Sequence, residues 1–102
     1  MPQRGRMILH ILNRPPSHSR VYRQALDAMA EHDCLLLIED AVSGALTSQI
    51  EHFQSIAGRL YVLREDLVSR GLDTHCAETV HIVDMEGFVR LTEEAEKTVS
   101  WY

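Results

Sequence analysis

The sequence is poor in the residues that staple small secreted or metal-bound domains together. Its 102 residues include only two cysteines, Cys34 and Cys76. Two cysteines cannot supply the disulfide framework of a small secreted domain, and neither has a Cys-x-x-Cys partner or a histidine at zinc-finger spacing. Long apolar runs are also missing. Behind the basic start Met1–Arg6, the run Met7–Leu12 is six residues long and carries His10 inside it. It is too short for a signal-peptide core and far too short to cross a bilayer. Positive charge is in deficit, with 10 Lys and Arg against 15 Asp and Glu and a formal net charge of −5. A protein that grips nucleic acid by its phosphates needs the opposite balance. The expectation is a cytoplasmic chain with no membrane segment and no nucleic-acid grip of its own.

Chemical motifs are scarce as well. The stretch Asn13–His18 contains no glycine, which argues against a phosphate cradle after the first strand. Six histidines are present, but no two stand in a His-x-His or His-x-x-x-His pair. Ser43 sits in Ala41-Val42-Ser43-Gly44, which is not the Gly-x-Ser-x-Gly setting of a serine nucleophile. The residues therefore assign no catalytic, cofactor-binding or metal-ligating residue, and no cofactor is expected.

What is present is alternation. Residues 1–6 read as an N-terminal extension, with Met7 an alternative start, and residues 7–102 as a single domain. Met7–Leu12 is a short apolar strand ended by Asn13-Arg14-Pro15-Pro16. Ser17 or Ser19 can cap a helix over about 19–31, in which Val21, Tyr22, Ala25, Leu26 and Met29 share one face. Cys34–Ile38 suits a strand buried on both faces. Asp40 is placed to cap a short helix over 41–46, and a second helical piece is expected within 47–56. Leu60–Leu63 is a third strand. Glu65–Arg70 is a helix closed by Gly71, with Arg70 against its negative end. Thr79–Val83 is a fourth strand. Asp84 caps a last helix with Phe88, Leu91 and Ala95 on one face, and 98–102 is a short extended end. Strands alternating with amphipathic helices predict an α/β fold, a small mostly parallel sheet of about four strands with helices on both faces. The open edges of such a sheet favour an assembled protein.

Ligands of open parallel sheets bind beyond the carboxyl ends of the strands. The loops expected there carry Asn13, Arg14 and His18; Glu39 and Asp40; Arg64, Glu65 and Asp66; and Asp84 with Glu86. Glu39, Asp40 and Asp84 together have the chemistry for a hard cation, but capping by the two aspartates and solvation of Glu39 account for them. Cys34 and Cys76 fall toward the amino ends of strands. Cys34 reads as a small buried apolar residue, and His75 beside Cys76 points away from it in an extended segment. His10 and His81 become neighbours only if the first and fourth strands pair; hydrogen-bonded structural roles explain them otherwise.

Four stretches carry a family resemblance. Met7-Ile8-Leu9-His10-Ile11-Leu12-Asn13-Arg14, Leu36-Leu37-Ile38-Glu39-Asp40-Ala41-Val42, and Leu60-Tyr61-Val62-Leu63-Arg64-Glu65-Asp66-Leu67 with Arg70-Gly71-Leu72 follow one another in family order. Asp84, Phe88-Val89-Arg90-Leu91-Thr92 and Trp101 complete the pattern over about residues 7–102. Together they resemble the TusB/DsrH family. The resemblance implies a DsrE/DsrF/DsrH-like fold and a place in a hetero-oligomer, a hexamer, with TusC-like and TusD-like subunits. It implies a relay of persulfide sulfur through a TusE-like acceptor to the wobble uridine of tRNA, or, in the DsrEFH branch, service in dissimilatory sulfur oxidation. It implies, too, that the persulfide cysteine belongs to the TusD/DsrE-like subunit. Some relatives carry a cysteine where this chain has Ala25. The family often has Arg-Ser-Pro where this chain has Arg14-Pro15-Pro16, and Asp-Gly-Val where it has Asp40-Ala41-Val42. Two rival readings stay open: a persulfide carrier using Cys76, and an unrelated α/β module that binds a small anion near Arg14 and His18.

Overall fold

In the computed structural model, which describes residues 7–102, five strands form one sheet in which every pairing is parallel. The strands are β1 (Ile8–Leu12), β2 (Cys34–Leu37), β3 (Leu60–Leu63), β4 (His81–Val83) and β5 (Lys97–Trp101), in spatial order β4-β3-β2-β1-β5. The expected extension over residues 1–6 lies outside the described residues. The fold class is the predicted one, but the strand count is five. The end read as a short extended segment pairs with β1, Ile8 against Lys97 through Leu12 against Trp101.

The connections follow from this order. From β1 to β4 the chain steps along the sheet in one direction through α1 (Ser19–Ala28), the 3₁₀ helices Glu39–Ala45 and Ile50–Ile56, and α2 (Arg64–Ser69). It then returns past β1 to β5 through α3 (Met85–Glu94). Parallel crossovers are right-handed, so reversing the direction of travel moves the helix to the opposite face. The core divides accordingly. Leu12, Leu35, Leu37, Leu60 and Val62 pack with Tyr22, Ala25, Val42, Phe53 and Leu67 on the first face. Leu9, Ile11 and Leu36 pack with Leu91 on the second, where Phe88 and Ala95 are half-buried. The face predicted for α1 is the one it buries: Tyr22 and Ala25 fully, Val21, Leu26 and Met29 in part.

Helix ends depart from expectation in two places. No serine caps α1; its N-cap is His18, whose side chain makes no capping bond. Asp40 is not a cap either. The segment Glu39–Ala45 is 3₁₀ and begins at Ile38 without a side-chain cap, and the Asp40 carboxylate pairs instead with Arg70, 3.0 Å away. The sequence offered a good capping residue, and a nearby guanidinium took it. The end of α2 is as read: Gly71 has φ +68, its N–H and that of Leu72 return to the carbonyls of Val68 and Leu67, and Arg70 donates to the carbonyl of Asp66.

Asp84 does cap α3, accepting the N–H of Gly87 at 2.9 Å. Asp84→Ala is expected to cost about 1 kcal/mol, read as a lower urea midpoint at unchanged slope. A change within error would mean the cap is already satisfied by water.

Candidate functional site

The reversal of strand order places a switch point between β1 and β5, and crevices in open parallel sheets form beyond the carboxyl ends at such points. Asn13 leaves β1 there, and its Oδ1 is buried without a hydrogen-bond partner. Arg14 and His18 next to it are exposed. The carbonyl of Arg14 accepts the Tyr22 hydroxyl at 2.9 Å, which ties this loop to α1. Burial pushes the Tyr22 phenol far above its ordinary range, so it acts as a neutral donor.

Farther along the same rim, the predicted acidic residues are brought together but are spoken for. Arg70 holds Asp40 at 3.0 Å and reaches Asp66 at 3.8 Å. Asp66 also accepts the N–H of Glu39 at 2.6 Å. That N–H is aimed by a backbone at φ +51, an uncommon conformation for a residue with a Cβ. Glu65 accepts the N–H of Met85 at 3.2 Å, at the start of α3. The rim is therefore a lattice of carboxylates bound to an arginine and to helix N–H groups. Glu39, Asp40 and Asp84 do not converge on a point, and no cluster of three metal-ligating side chains occurs among the described residues.

Cys34 lies away from this rim, at the amino end of its strand, whereas Cys76, expected on that side, is bridged to Leu46, which shares a groove with Pro15, Pro16 and Ser43. Cys34 opens β2 at its amino end and packs against the cluster under α3. Burial pushes its thiol up, against the opposing pull of Arg59. Cys76 sits in the loop before β4, bridged antiparallel to Leu46, and burial pushes its thiol up as well, against the Ala77 N–H. A nucleophilic cysteine needs the opposite shift. Ala25 is fully buried against the sheet.

His10 and His81 are not neighbours. Three pairings separate β1 from β4. His81 is exposed, lies against the Tyr61 ring with centroids 4.9 Å apart, and bonds to the Gly58 carbonyl at 3.0 Å. His10 is buried and meets Asp33 instead, Nε2 to Oδ2 at 3.0 Å, while the Trp101 indole N–H donates to its Nδ1 at 3.1 Å. Asp33 also accepts the N–H groups of Ile8 at 3.1 Å and Ala30 at 2.9 Å. Burial alone would raise its carboxyl, but the Ala30 N–H, the His10 ring and the Ile8 N–H outweigh that and hold it below the ordinary carboxylate range. Behind it, Arg59 donates to the carbonyls of Asp33 at 2.8 Å and Ala30 at 3.0 Å. Sequence reasoning missed this cluster. Its one signal was a histidine inside an apolar strand and an aspartate just ahead of the next, and only the pairing register joins them.

A shallow groove of about 370 Å³ runs between α1 and the helix Ile50–Ile56, with Ser19, Arg23, Asp27 and His52 among its walls. No hydrogen bond links these side chains into a catalytic set.

Comparison with known proteins agrees with this architecture. The family described as DsrH like protein matches residues 14–98. Protein TusB of Escherichia coli K12 is 31% identical over 96 residues, covering 92% of this chain and 100% of that protein. Protein TusB of Escherichia coli O1:K1 / APEC matches to the same extent. The crystal structure of the ychN protein from E. coli superposes with a TM-score of 0.69 at 16% identity, covering 93% of this chain and 97% of that one, a likeness of fold alone. With a match across most of its length and a relative aligned end to end, the chain belongs to the DsrH-like family.

Proposed function

We propose that this chain is the structural, TusB-like subunit of a cytoplasmic sulfurtransferase complex. In this reading it joins TusC-like and TusD-like subunits in a hetero-oligomer, a hexamer. The complex relays persulfide sulfur through a TusE-like acceptor for 2-thiolation of the tRNA wobble uridine. The observation that carries the reading is the 31% identity that spans the whole of TusB, which also favours the tRNA branch over sulfur oxidation. The fold supports assembly. Among the described residues β4 and β5 are open edges, and Ile82 on β4 and Met85 and Val89 on α3 are about half exposed. The net charge of −5 suits a subunit that leaves tRNA to others. No helix of the described residues is long and apolar enough to cross a membrane.

In this reading the sulfur is carried by a partner's cysteine, in keeping with the upward push that burial gives both thiols here. Cys34→Ser and Cys76→Ser are each expected to leave sulfur transfer by the assembled complex within about twofold of wild type. Transfer of labelled sulfur, followed with the complex intact by gel filtration, checks this. Loss of transfer in either variant with assembly preserved would make this chain a carrier. The reading itself is tested by isolating the complex from its source through a tag on this chain and measuring its mass and composition. Two small partners, one with a reactive cysteine, support it. A monomer without partners refutes it.

A further inference from the structure

The strand that completes the sheet is fastened to the core by a bond that only one protonation state of His10 can make. An indole nitrogen donates and has no lone pair to accept with. The 3.1 Å contact from Trp101 Nε1 therefore lands on an unprotonated Nδ1. The proton of the neutral ring then sits on Nε2 and points at Asp33 Oδ2, 3.0 Å away. The ring is thus a relay between a carboxylate in the loop before β2 and the last residue of β5. The two aromatic rings lie edge to edge, with centroids 6.1 Å apart and planes 22° from parallel, as an in-plane N–H···N bond requires.

We propose that His10 is a proton-operated latch on β5: neutral, it binds Trp101 to the core, and protonated at Nδ1, it releases the carboxyl end of that strand. The step is a simple protonation. A proton from water takes the Nδ1 lone pair, the Trp101 N–H···Nδ1 bond breaks, and the Nε2–H···Asp33 bond stays and becomes charge-assisted. Two N–H groups cannot share that contact, so the indole must leave.

The surroundings leave Asp33 as the charged group that meets the ring. Arg59 lies behind Asp33 and is occupied by backbone carbonyls. On β5, Lys97 is two positions along the strand from Val99, which stands beside His10, and is exposed. On α1, Arg20, Arg23 and Asp27 are exposed, and Tyr22 donates to the Arg14 carbonyl. The strand so released is an edge strand, with no neighbour beyond it among the described residues. Its loosening does not require the rest of the sheet to open. The latch is independent of the sulfur-relay reading.

Trp101 is the only tryptophan in the chain, so its fluorescence reports the latch directly. The full chain is carried from about pH 8 to about pH 5. Emission is recorded together with amide exchange, expressed as protection relative to the unfolded chain. In wild type, protection of the Lys97–Trp101 amides is expected to fall by about tenfold, the loss of one buried hydrogen bond, while β2 and β3 stay protected and the emission shifts red. His10→Gln keeps a donor and an acceptor and does not titrate, so its β5 is expected to be indifferent to pH. Trp101→Phe has no N–H to lose; its β5 starts less protected and loses no more on acidification. Circular dichroism establishes that each variant is folded, and either variant alone decides if the other is not. A wild-type β5 that keeps its protection across the range overturns the proposal, and so does an equal fall in either variant.

Discussion

Asp33→Ala is expected to cost the fold about 1–3 kcal/mol, a large share of the about 5–15 kcal/mol that holds a small domain together. The carboxylate is 2% exposed and accepts from the His10 ring and from the N–H groups of Ile8 and Ala30. Removing it leaves the buried His10 donor without an acceptor, at about 1–3 kcal/mol, and frees two part-buried N–H groups that water can reach. Asp33→Asn should fall between, because an amide oxygen still accepts while the amide nitrogen turns a donor toward a donor. The same residue sets an acid limit. Its carboxyl is lower in the folded protein than in the unfolded chain. Its stabilisation is therefore complete above the unfolded value of about 3.9 and is lost as pH falls through the folded value. Urea unfolding at neutral pH, repeated below about pH 4, tests both statements. The assignment fails if the alanine variant loses less than about 1 kcal/mol, or if wild type and variant lose stability equally in acid.

The second large effect is expected at Leu91. It is the buried residue of α3, and it meets Leu9, Ile11 and Leu36 across the sheet. Phe88 and Ala95 add only half-buried surface. The first face of the sheet is covered by α1, α2 and two 3₁₀ helices, whereas among the described residues α3 is the one helix over the second. Leu91→Ala should cost about 2–5 kcal/mol, the range for deleting a buried leucine and leaving its cavity. Because α3 leads directly into β5, amides of both elements should exchange faster than those of β2. Uniform loss of protection across the whole sheet would show instead that α3 and the first face unfold as one unit.

The architecture was largely legible because it rests on local signals. Pro15-Pro16, Gly71 and Asp84 punctuate the chain, and the apolar spacing in α1 and α3 marks the faces they bury. β5 was read only as an extended end because Lys97-Thr98-Val99-Ser100-Trp101 lacks the apolar run of a buried strand. It lies at an edge, where one side is wet. Asp40 misled because capping and ion pairing draw on the same carboxylate, and Arg70 is 30 positions away in sequence. The cluster of His10, Asp33 and Trp101 was illegible for the same reason: its members come together only through parallel pairing of β1 with β2 and β5. The distribution of function among partner subunits leaves still less trace in one chain, since an interface is complementary to residues the chain does not contain.

The position of β5 beside β1 has a consequence for synthesis. Ile8 emerges from the ribosome well before its neighbour on one side, Lys97, which follows about ninety residues later. β1 can acquire β2 after some thirty further residues, but its other edge waits for β5. Pairing between such distant segments is slow, because the chain loses loop entropy before the contact rewards it. During that interval an apolar strand presents free N–H and C=O groups to any other nascent strand. Misassembly should therefore be most frequent when translation stalls within α3, and a ribosome-associated chaperone would have its longest hold on this protein at β1.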